Sequence, residues 1–220
     1  MSEIGLVRHG ETVWHADNRY AGRSDVELTA RGRDQAAPLA RWAAGAGLVG
    51  VVSSPLSRAR RTAEPATEAA GLPLRLEPGL VEVDFGRGEG LTRDEMRAAF
   101  PDELDAFLAA PATSPLPGGE HGADAVARAL PALREHADPT GPVLVVAHQS
   151  LIRLVLCAQL GIPLDRYRAV FPRLDNVTLT RLRLGPDGGP GALLGLNVPV
   201  GGSAVPTSSP PAPARGGAVG

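Results

Sequence analysis

The sequence contains no lysine: all 22 of its basic residues are arginine. That absence excludes Schiff-base catalysis, a Walker A phosphate loop and the ATP-pairing lysine of a protein kinase, each of which needs an amine. There is one cysteine, Cys157, inside the apolar run Leu154-Val155-Leu156-Cys157. A lone thiol forms no internal disulfide and no zinc spacing; here it reads as a buried core group in a reducing, cytoplasmic protein. Excess charge is nearly absent, with 24 acidic residues against 22 basic ones for a net of −2. No electrostatic footprint for nucleic acid or an anionic membrane is present. The longest apolar runs, such as Val143 to Ala147, fall far short of the ~20 residues a membrane span needs. The N-terminal stretch has no basic n-region and its apolar run breaks at Arg8, so it reads as neither signal nor transit peptide.

What is present suffices for one substantial domain. The chain has 220 residues, 43% of them hydrophobic, enough for a core. From Gly185 to Gly220 about half of the residues are Gly or Pro, which predicts disordered, linker-like chain. One island, Ala192 to Val198, reads as a last edge strand, and disorder is expected from about Pro199. The body alternates strand-like and helix-like segments. Ile4–Val7, Gly50–Ser53, Leu74–Leu76, Val143–Ala147 and Val177–Leu184 read as strands. Helices are expected over Thr29–Ala44 with Thr29 as N-cap, Leu56–Ala70, Thr92–Leu108 broken at Pro101, Glu120–His136, and from His148 to Leu160. This alternation predicts an α/β protein with helices on both faces of a mostly parallel sheet.

In such sheets ligands collect beyond the carboxyl ends of the strands. Arg8-His9-Gly10-Glu11-Thr12 follows the first strand, Ser54-Pro55-Leu56-Ser57-Arg58 the second, and His148-Gln149-Ser150 the buried one. Two histidines and two arginines therefore converge on one edge. Neutral imidazole is a nucleophile, nearby cations depress its pKa, and arginines clamp phosphate oxygens. Helix N-termini add backbone donors aimed at an anion. The set suits a phosphoryl group without a metal. A proton donor for the leaving group is then required. Glu82, between Val81 and Val83, is the candidate, because desolvation raises a carboxyl toward the general-acid range; Asp84 and Glu89 are nearby alternatives.

Over about residues 4–184 these residues resemble the histidine phosphatase superfamily, the phosphoglycerate mutase-like proteins. The signature Arg8 to Thr12 comes first, followed by Gly22, Asp25, Leu28, Thr29 and Gly32. Ser54 to Ala63 and Glu82 to Gly90 come next, and His148 closes the set. The resemblance implies a three-layer α/β/α sandwich of phosphoglycerate mutase-like type. It makes His9 the nucleophile that forms a transient phosphohistidine. Arg8 and Arg58 would hold the phosphoryl oxygens, helped by a cationic His148. Glu82 would protonate the leaving oxygen and then deprotonate the attacking water. Thr12, His15, Gly22 and Gln149 are expected to contact substrate. The resemblance implies no metal and no organic cofactor, and a small phosphomonoester as partner; it sets no oligomeric state.

Three positions depart from the family pattern. His15 stands where many relatives have Asn, Gln149 where they have Gly, and His121 where they have Ser. His121 is expected either to cap the following helix or to touch substrate. Arg61, one turn after Arg58, is a further candidate for the site's field, whereas His136 and Trp42 read as surface and packing residues. Residues 1–198 form the expected domain, with a lid over roughly 85–140 and a tail over 199–220. That lid is shorter than in the mutases, which favours hydrolysis over phosphoryl transfer between substrates. Two other classes stand beside these: a non-catalytic phospho-ligand binder, disfavoured by retention of His9 and Glu82, and a metal hydrolase, disfavoured by the lack of a ligand set. Activity is expected to fall at high pH as Glu82 loses its proton and at low pH as His9 gains one.

Overall fold

Short β-branched runs form the strands, and the alanine-rich stretches between them form the helices. The computed structural model describes residues 2–186 and 189–201. The strands are β1 (Glu3–Arg8), β2 (Gly50–Ser53), β3 (Leu74–Leu76), β4 (Val143–Ala147), β5 (Thr178–Arg183) and β6 (Ala192–Pro199). They make one six-stranded sheet in the order β3-β2-β4-β1-β5-β6. The first four in that order run parallel; β5 and β6 add antiparallel on the β1 side. The helices are α1 (Ala30–Asp34), α2 (Ala36–Ala43), α3 (Ser57–Ala70), α4 (Arg93–Ala99), α5 (Pro101–Ala109), α6 (Gly122–His136), α7 (Gln149–Leu160) and α8 (Tyr167–Val170). Among the described residues, no helix is long and apolar enough to cross a membrane.

Alternate strand residues face opposite helical layers, as the two-residue period requires. Ile4, Leu6, Val143, Val145 and Ala147 join Leu104, Phe107, Leu133, Leu151 and Leu154 on the side of α5, α6 and α7. Val7, Val51, Leu144 and Val146 pack against Leu39 and Ala43 of α2 and Ala59, Ala63 and Ala66 of α3 on the other. Burying each large aliphatic side chain contributes about 1.5–3 kcal/mol. The result is the expected α/β/α sandwich.

Register sets the functional edge. Arg8 lies opposite Ala147, and Ser53 opposite Val146. His9 N donates to Ala147 O at 3.1 Å and Ser54 N to Val146 O at 3.0 Å, so β1, β2 and β4 end level with one another.

Local departures from the expected elements have local causes. The helix expected over Thr29–Ala44 divides at Gln35, because Pro38 has no N–H to offer the carbonyl of Asp34. Thr29 does cap α1, accepting from Gly32 N. The helix expected from Glu120 begins at Gly122, since the Glu120 carboxylate is committed to Arg128 Nε (2.8 Å) and Nη2 (2.9 Å). Val177, expected at the start of a strand, instead adopts φ +56, a conformation disfavoured for a β-branched residue. The segment 85–140 comprises a 3₁₀ turn at Gly86–Gly88, α4, α5 and α6; α6 packs in the core through Ala125, Ala129 and Leu133. The expected edge strand at Ala192–Val198 is β6. Most of the expected tail, residues 202–220, lies outside the described residues.

Candidate active site

His9 directly follows β1, with 6% of its surface exposed. Its Nδ1 is 2.7 Å from Gly10 O. A carbonyl only accepts, so Nδ1 carries the proton and Nε2 keeps the lone pair. The backbone of this turn is pinned: Asn176 Nδ2 donates to His9 O (2.7 Å) and Gly10 N to Thr62 Oγ1 (3.0 Å). Burial, then the charges of Arg58 and Arg8, push the His9 pKa well below 6.5. The imidazole is therefore neutral at physiological pH.

Arg58, in the first turn of α3, is wholly buried. Its Nη1 donates to Ser24 O and its Nη2 to Gly22 O, both at 2.7 Å. That loop is itself held by carboxylates. Glu89 accepts from Arg23 N (2.6 Å) and Ser24 N (2.8 Å), and Asp25 accepts from Ser57 N (2.8 Å). Arg8 donates from Nη1 to Leu174 O (2.8 Å) and from Nη2 to His15 Nε2 (2.7 Å). Burial lowers the Arg8 pKa to about 10, which leaves it charged at neutral pH. Among the described residues neither arginine has a carboxylate within salt-bridge distance, and the Nε of each is buried without a protein partner.

The other two groups meet at the N-terminus of α7: His148 directly precedes it, and Glu82 reaches it from the segment after the 3₁₀ turn Pro78–Leu80. His148 is wholly buried, its ring centroid 5.2 Å from that of His9. Its Nε2 lies 2.8 Å from Ser54 Oγ. That oxygen also accepts from Leu56 N at 3.3 Å. His148 Nδ1 is buried with no protein partner. Glu82 is buried against the N-terminus of α7. Its Oε1 accepts from Val83 N and Leu151 N, both at 2.9 Å, and its Oε2 from Ser150 N at 3.0 Å.

Arg8, His9, Thr12, His15, Glu82 and Gln149 line one cavity of about 800 Å³. A cation on the lining of such a cavity, a second cation buried behind it and a neutral imidazole can together receive an oxyanion. A profile of the histidine phosphatase superfamily (branch 1) matches residues 4–197. The chain belongs to the histidine phosphatase superfamily.

Its relatives in this superfamily carry different activities in their names. A probable phosphoglycerate mutase of Erwinia tasmaniensis is 32% identical over 185 residues, 83% of this chain and 85% of that one. Phosphoserine phosphatase 1 of Hydrogenobacter thermophilus is 33% identical over 171 residues, 76% and 80% of the two chains. Among solved structures, a mycobacterial glucosyl-3-phosphoglycerate phosphatase in complex with VO3 superposes with a TM-score of 0.80 at 31% identity, covering 90% of this chain and 100% of that one.

Several residues of this superfamily member stand differently from what its sequence suggests. Gly22 does not line the cavity. A Cβ there would meet Glu89 Oε1 at 2.1 Å and Val83 O at 2.5 Å, so Gly22 permits close packing while its carbonyl holds Arg58. Arg58 and His148 are likewise buried behind the cavity lining. His148 is not cationic: burial, Arg58 and His9 push its pKa well below 6.5. Glu82 sits in a ring of backbone donors rather than a purely apolar setting. His15 props Arg8, and burial with that neighbouring charge lowers its pKa to about 4. Arg8 Nη2 lies 2.7 Å from its Nε2, and Thr12 N and Oγ1 lie 3.0 and 2.8 Å from its Nδ1. Gln149 Nε2 reaches Leu174 O at 3.3 Å. His121 makes no capping bond and is exposed, and Arg61 turns to Glu27, 4.0 Å away on the surface. Asp84 accepts from Gly86 N (2.8 Å), and Glu89 is taken up by the 23–24 backbone, which leaves Glu82 as the carboxylate at the site. His136, expected as a surface residue, is half-buried and 3.0 Å from Glu77 Oε2.

The three neutral histidines have a consequence for stability. His9, His15 and His148 have folded-state pKa values below the unfolded value of about 6.5. Below that pH the unfolded chain takes up protons that the folded chain refuses, so stability falls as pH falls. Each histidine contributes a slope of up to about 1.4 kcal/mol per pH unit. The urea midpoint is expected to drop steadily from pH 7 to pH 5, and a flat midpoint over that range would contradict the neutral assignment.

Proposed function

We propose that this chain hydrolyses a small phosphomonoester through a phosphohistidine on His9. The observation that carries the reading is the pair of buried donors without protein partners, Nε of Arg8 and Nε of Arg58, beside the equally unpartnered Nδ1 of His148. They cluster around His9, whose pKa responds to both arginines. Orphaned buried donors are costly unless a ligand satisfies them. A phosphoryl group brings three non-bridging oxygens and the negative charge that two arginines lack.

The steps follow from the atoms. His9 Nε2 attacks phosphorus, the P–O ester bond breaks, and the leaving oxygen takes a proton from Glu82. Water then gives a proton to Glu82 and attacks the phosphohistidine, releasing phosphate and neutral His9. Oε2, with one backbone bond against two on Oε1, is the Glu82 oxygen free to hold that proton. Thr12, His15 and Gln149 border the bound group, and Gly22 acts through Arg58. The positive charge comes from side chains, with no metal and no organic cofactor. From the segment 85–140, Phe85, Thr92, Arg93 and Asp94 contribute to the cavity wall. Asp17, Asn18, Arg93 and Asp94 on the rim are exposed, which supports water entry and so hydrolysis over a mutase reaction. A buried single thiol and a nearly balanced charge fit the cytoplasm.

Hydrolysis of an aryl phosphate with EDTA present tests the reading. Metal-independent turnover is expected. No turnover, together with isomerisation of 3-phosphoglycerate, would replace it with the mutase reading.

A further inference from the structure

The cavity is lined by further cations besides Arg8. Arg153, in α7, is 7% exposed, donates from Nη2 to Pro172 O (2.7 Å), and leaves a buried Nε without a protein partner. Arg168, in α8, donates from Nε to Tyr167 Oη (2.9 Å) and from Nη1 to Tyr20 Oη (3.1 Å). Its guanidinium lies over the rings of Phe107, Tyr167 and Tyr20 at 4.7, 5.4 and 5.5 Å. Arg93, at the rim, donates from Nε toward the same Tyr20 oxygen at 3.4 Å. Burial raises the Tyr20 pKa, but Arg168 and Arg93 outweigh it and bring the net value down.

No protein carboxylate answers these charges. Among the described residues Arg93, Arg153 and Arg168 take part in no salt bridge. Arg19 also lines the cavity, but Glu95 (2.7 Å) and Asp17 (3.5 Å) already meet its charge. Of the other acids on the lining, Glu82 is held by the N-terminus of α7 and Asp94 is exposed at the rim. A partly buried cation without a counter-charge is costly. Here two such cations are fixed in place, one by a carbonyl and one by three aromatic faces.

We propose that Arg153 and Arg168, with Arg93 at the rim and Tyr20 between them, form an anion subsite for a second oxyanion on the substrate. The substrate class is then a small phosphomonoester that also bears a carboxylate or a second phosphate. The proposal rests on the phosphatase reading for which end of the cavity takes the phosphoryl group. The two fail separately, because the subsite is tested by binding and the reading by turnover.

The test is calorimetric binding to the His9→Ala protein, which does not turn substrate over. The first probes are 3-phosphoglycerate and glycerol 3-phosphate, which are matched in length and differ in the carboxylate. The carboxylated ester is expected to bind roughly tenfold or more tightly, as charge-assisted bonds to arginine allow. In His9→Ala/Arg168→Gln that preference is expected to collapse, while affinity for glycerol 3-phosphate changes less than about twofold. His9→Ala/Arg153→Gln repeats the comparison if the first pair does not fold. Propane-1,3-diol bisphosphate separates the two anions: tighter binding than 3-phosphoglycerate marks a second phosphate, weaker binding a carboxylate. Equal affinity for the first two esters would overturn the proposal. So would an equal loss for both in the arginine variants, the sign of a bracing role alone. Preference for the anionic esters without any turnover by the wild-type chain would overturn the phosphatase reading and leave the subsite standing.

Discussion

Replacing His9 by Ala is expected to lower kcat/KM for an aryl phosphate by about 10⁴-fold or more, with little change in thermal stability. The size follows from what the side chain supplies. Its Nδ1 proton is committed to Gly10 O, so the lone pair of Nε2 is the available nucleophile, and burial, then Arg58 and Arg8, keep it unprotonated. A water entering the emptied volume has neither the nucleophilicity nor the fixed position of the ring. The same depressed pKa moves the acid limb of the wild-type pH–rate profile below 6.5. Activity that persists in His9→Ala, or an acid limb centred at the ordinary imidazole value, would contradict the role.

The second large effect is expected at Glu82, and it depends on the leaving group. Glu82→Gln is expected to cost about 10²–10⁴-fold on an alkyl phosphate, whose alkoxide needs a proton as it departs. On a nitrophenyl phosphate, whose phenolate leaves unassisted, the loss in the phosphorylation step is expected to be far smaller. The variant also faces a geometric conflict. The Glu82 oxygens accept three backbone N–H bonds, and a Gln amide must set its own NH₂ against one of those donors. A loss of about 1–3 kcal/mol in stability is expected, so rates are compared at equal folded fraction. Equal losses on both esters would show that Glu82 acts by holding α7 rather than by moving a proton.

Much of this architecture was legible because its determinants are local. β4 is a continuous apolar run, and Arg8-His9, Ser54 and His148 each directly follow a strand, so their convergence followed from topology alone. The break in the first helix was missed, because the alanine pattern on both sides of Pro38 reads as continuous. What the sequence hid depends on distant chain. The donor ring around Glu82 comes from Ser150 and Leu151, which only the sheet register brings near. The neutral state of His148 arises from its burial, then from the charge of Arg58 and the neighbouring His9, something spacing does not reveal. Arg153 did leave a signal, as the one charged residue in the otherwise apolar stretch 150–158. Tyr20 and Arg168 left none: their pairing joins segments far apart in the chain. Gly22 carried a motif signal with the wrong implication, since its missing side chain serves packing.

The central claim is that His9 carries the phosphoryl group between the two steps. Rapid quenching of the wild-type chain during turnover, followed by peptide mapping, tests it most directly. The expected result is a phosphoryl adduct on the peptide containing His9, stable in alkali, lost in acid, and absent from His9→Ala. Glu82→Gln is expected to accumulate it on a nitrophenyl ester, because removal of the phosphoryl group by water then lacks its base. Turnover of the wild-type chain with no adduct at His9 under alkaline quench, or an adduct on another residue, would contradict the account.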